Sequence, residues 1–186
     1  MDNILYGCKL MVLKELDPVT GLVKAVSPKT ESFKTPQQAS ITPQWIEGQR
    51  QELRGGDGLL CVIEDDPNLV GVELGMTSAE LPGEALAMLG GGTFAAGKYT
   101  APKIGTVVPS VQVELYVARY AAGSQSDDNL VGYRKWTFYS AKGRVPTYTA
   151  QDRNFLVPQF TIRCKENVTA DKAVFDFEDV AALPAL

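Results

Sequence analysis

The chain contains no histidine. That removes the side chain that most often acts as a general base near neutral pH and most often ligates a transition metal. Cysteine is scarce. Cys8, Cys61 and Cys164 are far apart, and each lies inside an apolar run. Such a scattered, odd set reads as buried free thiols in a reducing compartment, without a disulfide frame or metal-ligand spacing. No apolar run reaches the length of about 18 residues that a spanning helix needs. The opening MDNILYGCKLMVLKELD has no basic leader and no small-residue cleavage site, and it reads as a strand. Positive charge is also short: 18 Lys and Arg stand against 22 Asp and Glu, a net charge of −4. That balance argues against general binding to nucleic acid or to an anionic membrane.

What the sequence does contain is β-pattern. With 45% hydrophobic residues, its 186 residues suit a single domain with a sizeable core. Along VQVELYVARY, Val111, Val113, Leu115 and Val117 face one way and Gln112, Glu114 and Tyr116 the other. Leu156, Phe160, Ile162 and Cys164 alternate in the same way with Gln159, Thr161 and Arg163. Further strands are expected near residues 7–16, 22–26, 41–47, 132–139 and 173–177. The pair 59–65 and 69–75 is separated by the turn formers Asp66, Pro67 and Asn68 and reads as a β-hairpin. One amphipathic helix is expected over 78–89. Thr77 or Ser78 would cap it, Glu80 or Glu84 would sit in its first turn, and Leu81, Ala85, Leu86 and Leu89 would share a face ahead of the glycine stop Gly90-Gly91-Gly92. Many short strands with frequent Gly and Pro turns indicate a β-sandwich or barrel.

Two polar or glycine-rich stretches, about 27–40 and 90–109, read as extended loops. The stretch GTFAAGK (Gly92 to Lys98) matches most of a phosphate-binding loop, but Tyr99 stands where a small hydroxyl is required and no helix follows. Glu64, Asp65 and Asp66 lack the spacing of a calcium loop and read as a solvated turn. The sequon Asn167-Val168-Thr169 follows no secretory signal and reads as chance. Trp45, Tyr133, Trp136, Phe138 and Tyr139 could form a stacking platform, although aromatics in strands more often pack in a core or pair across strands.

The order within Arg54–Gly92 carries more information than any single motif: glycine turn, strand, acidic turn, strand, capped helix, glycine stop. It resembles the middle of the major tail tube protein of long-tailed (siphovirus-type) bacteriophages. There a paired-strand block with a Gly-Gly-Asp turn precedes a helix with a Pro, Glu and Leu pattern closed by glycines. The C-terminal half of that family is similar to Val111–Tyr120, Gly132–Phe138 and Asn154–Cys164 in order and residue type, so the resemblance covers about residues 40–180. The chain departs from it after Phe138, where Tyr139 and Ser140 stand in place of the proline common there.

The resemblance implies a mainly β fold: a β-sandwich of two antiparallel sheets flanked by one α-helix, as a single tail-tube domain over 1–186. It implies a structural virion protein, not an enzyme, with no cofactor. Six copies would form rings whose inner sheets join into a barrel, and stacked rings would make the tube that conducts DNA into the host. Its partners would be itself, the tape measure, tail terminator and distal tail proteins, and double-stranded DNA that passes without specific binding; no membrane is involved. It would reside in the virion tail, and in host cytoplasm during assembly. Within the first loop, Ser27, Pro28, Lys29, Thr30, Glu31, Ser32, Phe33, Lys34, Thr35 and Pro36 are expected to contact a neighbouring subunit, with Phe33 as anchor. A carbohydrate-binding or virion-decorating β-sandwich is the alternative, and an enzyme is the class the composition favours least.

Overall fold

The computed structural model of the protein describes residues 4–56, 58–122, 129–149 and 152–185. Its strands are β1 (Ile4–Glu15), β2 (Thr30–Phe33), β3 (Pro36–Ile46), β4 (Arg50–Gly55), β5 (Gly58–Glu64), β6 (Asn68–Ser78), β7 (Thr93–Ala95), β8 (Lys98–Thr100), β9 (Val111–Tyr120), β10 (Leu130–Gly143), β11 (Gln159–Lys165) and β12 (Phe175–Val180). The α-helix, α1, is Gly83–Gly90. The protein is therefore mainly β, and its strand pairings are antiparallel.

Eight strands form one sheet in the order β2-β1-β9-β10-β11-β6-β3, with β12 added on β10. The expectation was a sandwich of two antiparallel sheets; here the large layers belong to one continuous antiparallel sheet. The reason is β10, which is 14 residues long and belongs to both layers. Its first part pairs with β9 and β12; beyond a bulge between Phe138 and Ala141, it pairs with β11. A bulge bends a strand and increases its twist, so one sheet folds over a single core. Met11 and Leu13 of β1, Leu74 of β6, Val113 and Leu115 of β9, and Ile162 of β11 meet there.

Helix α1 closes the core with Ala85, Leu86, Met88 and Leu89. It begins later than expected. Pro82 disfavours helical geometry at Leu81, and Leu81 stays exposed instead of joining the buried face. Ser78 does not cap the helix: it ends β6, where its Oγ accepts from Glu80 N and donates to the Thr35 carbonyl. Glu84 does occupy the first turn, and Gly91 ends the helix at φ 73°, where a side chain would be strained. At Gly92 a Cβ would come 2.2 Å from the Thr100 carbonyl oxygen, so the stop is also steric.

The hairpin expected between 59–65 and 69–75 is absent. β5 pairs with β4 and β6 pairs with β3, so the chain turns between Gly55 and Gly58 and not at Asp66-Pro67-Asn68. Loop 90–109 contains the β7–β8 hairpin. Residues 22–26 make only an isolated bridge, Leu16 to Val23. Phe155 and Leu156 precede β11 and are exposed. All three cysteines are free, but Cys61 is exposed on β5 and not buried.

Candidate assembly surfaces

The strands β3 with β4, and β5 with β6, make one long ribbon. β3 and β6 run together as far as Ile46 opposite Asn68; β4 and β5 continue from Arg50 opposite Glu64. Between them lies an elbow. Asp65 N donates to the Gln49 carbonyl, and a Cβ at Gly48 would come 1.5 Å from the Asp65 carbonyl oxygen. Only glycine allows the strands to cross this closely. Beyond the elbow the β4–β5 arm packs on nothing else substantial, yet Leu53, Leu60 and Ile63 are each at least 60% exposed. A two-stranded ribbon is marginal in water, and here it exposes large apolar side chains on both faces, Leu53 and Ile63 on one and Leu60 on the other, which suits a contact surface.

The second feature is a four-stranded slab: the first half of β1, the second half of β9, the first half of β10, and β12. β2 covers β1 only from Met11 to Lys14. On that side Ile4–Leu10 have no strand partner among the described residues, and Tyr6 is 70% exposed. At the other end β12 pairs with β10 alone among the described residues. Both outer edges thus present unpaired backbone donors and acceptors, an arrangement that monomeric proteins usually shield.

The outward face of β1, β9, β10 and β12, within the slab and beyond it toward the far end of β1, carries charges of both signs in pairs. Lys14 Nζ lies 2.5 Å from Glu114 Oε1, and Gln112 and the Tyr116 hydroxyl also donate to Glu114. Burial alone would raise the Glu114 carboxyl, but the Lys14 hydrogen bond and charge, with the Tyr116 hydrogen bond, outweigh it and hold the pKa below its usual value. Burial and the Glu114 carboxylate push the Tyr116 phenol well up. Lys135 pairs with Glu178. Tyr139 donates to Asp176, which pushes the phenol up to about 12. On the opposite face, the side that carries Leu115 and Trp136, Asp179 bridges Arg134 and Arg119 at 2.9 Å each, and the Arg134 hydrogen bond holds its carboxyl below the usual range.

The loop Ser27–Pro36 is placed differently from expectation. Ser27, Pro28 and Lys29 are exposed, but Thr30–Phe33 is strand β2, paired with β1. Phe33 is fully buried against Phe160, and Pro36 is buried at the start of β3. Phe33 is thus a core residue and cannot anchor a neighbouring ring. Glu31 and Ser32 are half-buried on the strand, leaving Ser27–Thr30, Lys34 and Thr35 as the exposed parts.

The other sequence motifs separate in space. Gly92–Lys98 is the β7–β8 hairpin, with Ala96 and Gly97 at positive φ, and Tyr99 donates to the Gly91 carbonyl at 2.8 Å. Glu64, Asp65 and Asp66 lie at the elbow. The aromatics do not form one platform: Phe138 is in the core, Trp136 lies beside Phe177, Tyr139 bonds Asp176, and Trp45 is exposed on β3. Asn167 of the sequon is buried, and its Nδ2 donates to the carbonyls of Gly21 and Tyr139. Sequence reasoning missed the arm and the free edges. The only signal for the arm was the pair of glycines at its tip.

No protein-family model matches the chain, and no curated protein matches it significantly. No helix among the described residues is long and apolar enough to cross a membrane.

Proposed function

We propose that this protein is a self-assembling structural subunit, the tube-forming protein of a long-tailed phage tail. The observation that carries the reading is the slab with two free edges. Strand directions alternate from β1 through β9 and β10 to β12. Setting β12 of one copy beside the first half of β1 of the next continues that alternation. It pairs both open edges and joins slabs head to tail, a heterologous contact of the kind that closes rings. Lys9, exposed on the β1 edge, would face the acidic β12 with Asp176, Glu178 and Asp179. The projecting apolar arm supplies a second contact, toward a neighbour in the same or the adjacent ring.

In such a ring the outward slab face lines a lumen. Its lysines and carboxylates are paired with one another, so no continuous basic stripe would hold DNA phosphates as they pass. The reading carries with it residence in the virion tail, assembly in host cytoplasm, and contacts with tape measure, terminator and distal tail proteins. Electron microscopy of the purified protein tests it. Rings or hollow tubes are the expected result, and a strict monomer at all concentrations overturns it.

A further inference from the structure

We propose that the basic hollow on the outward face of β6, β11 and β10 receives the acidic elbow of a second copy. The proposal rests on the reading of the chain as a self-assembling subunit.

The hollow has a flat floor. Val72, Leu74 and Met76 of β6 point into the core, so Gly71 and Gly75 face outward on either side of Glu73. A Cβ at Gly71 would lie 2.7 Å from the Cys164 carbonyl oxygen, and one at Gly75 would lie 2.6 Å from Ser40 Oγ. The close approach is to the neighbouring strands β11 and β3 themselves, so no side chain rises from the floor at these two places. Around the floor stand cations. Lys142 is the cross-strand neighbour of Arg163. Lys165 Cγ is 3.8 Å from the Cβ position at Gly71, and Arg144 shares the hollow. All four are exposed, and none enters an ion pair among the described residues. Glu73 opposes Arg163 across β6 and β11, so the hollow keeps a surplus of positive charge.

On a chain of net charge −4 this cluster is a local exception. Its complement is on the same chain. Glu47, Glu64, Asp65 and Asp66 lie together at the elbow, all exposed, and none is ion-paired among the described residues. The close crossing of Gly48 over Asp65 fixes the elbow's shape, so little ordering remains to be done on docking. Donor and receptor are different patches, and every copy carries both. The contact is therefore head to tail and can repeat from copy to copy. Complementary charge of this sort sets register and excludes wrong alignments.

Charge reversal tests the proposal, with assembly followed by sedimentation velocity and folding checked by thermal melting. Arg163→Glu with Lys165→Glu, and separately Asp65→Lys with Asp66→Lys, should each raise the concentration needed for assembly by about tenfold or more. The chain carrying all four reversals should recover assembly. Wild-type assembly should weaken as salt rises from about 0.05 to 0.5 M. If wild type assembles and both reversed variants match it, or if the four-fold variant is not rescued, the pairing is wrong while the assembly reading stands. If wild type stays monomeric, both fail. If wild type binds duplex DNA and only the Arg163/Lys165 variant loses it, the hollow belongs to nucleic acid and the proposal is overturned.

Discussion

Phe33 and Phe160 meet edge to face, with ring centroids 5.1 Å apart and planes at 66°. Phe33 lies on β2, at one end of the sheet order, and Phe160 on β11, near the other. Their contact ties the two layers together across the core. Replacing Phe33 with Ala should therefore cost about 3–5 kcal/mol in a denaturant titration, because a buried aromatic is lost and the site has little freedom to collapse. A cost below about 1 kcal/mol would place Phe33 at the surface.

Glu114 gives the fold an acid-sensitive element. Its carboxyl is held below its ordinary value in the folded chain. The resulting stability is present above the unfolded pKa of about 4.3 and is lost as pH falls through the folded value. Glu114→Gln should flatten the decline in stability below about pH 4.5, measured as denaturation midpoints. Lys14→Met leaves the carboxylate buried without its ion pair and should cost about 2 kcal/mol at pH 7.

Asn167 joins three parts of the chain. It donates to Gly21 and Tyr139, and its Oδ1 accepts from Ala170 N at 3.3 Å. Asn167→Ala should cost about 1–2 kcal/mol, because two part-buried carbonyls lose their donor. Asn167→Asp should be no better, since a carboxylate offers those carbonyls no donor. Thermal unfolding of the two variants checks both expectations.

The cysteines should separate by reactivity. Cys61 is exposed, whereas burial pushes the Cys8 thiol up to about 11 and the Cys164 thiol up to about 12. A thiol reagent at pH 8 should label one site rapidly in the native protein, and all three after denaturation. Rapid labelling of two or more native thiols would contradict the burial of Cys8 and Cys164.

Gly48→Ala should separate folding from assembly. The added methyl collides with the Asp65 carbonyl and spoils the elbow, but the elbow lies outside the core. The chain should still unfold cooperatively, at a cost of about 1–3 kcal/mol for the displaced backbone, while the assembly concentration in sedimentation rises. Unaltered assembly would free the elbow of that role.

The sequence was most legible where the two faces of a strand differ in polarity. Val113 and Leu115 sit in the core opposite Glu114 as their alternation required, and Phe160, Ile162 and Cys164 do likewise. Pairing was less legible, because partners are chosen far along the chain. Asp66-Pro67-Asn68 has strong local turn chemistry, yet it only kinks a ribbon whose turn lies near Gly55. Phe33 was misread because its polar neighbours describe solvent exposure on either side of it, while its burial comes from β11. The free edges of β1 and β12 could not be seen at all: they are defined by strands that are missing, and no residue type announces that.

The partner of β1 is β9: Leu13 lies opposite Val113 and Met11 opposite Leu115. This is a matter of time as well as of space. The first strand can meet β2 early, but it cannot find β9 until a loop of about a hundred residues has closed, and non-local pairing of that kind slows folding to the millisecond-to-second range. Throughout that wait the side chains of Leu10, Met11, Val12 and Leu13 have only the short β2 beside them. A newly made chain thus stays vulnerable to aggregation until β9 arrives, and its yield should depend on temperature and concentration during synthesis more than on the stability of the finished fold.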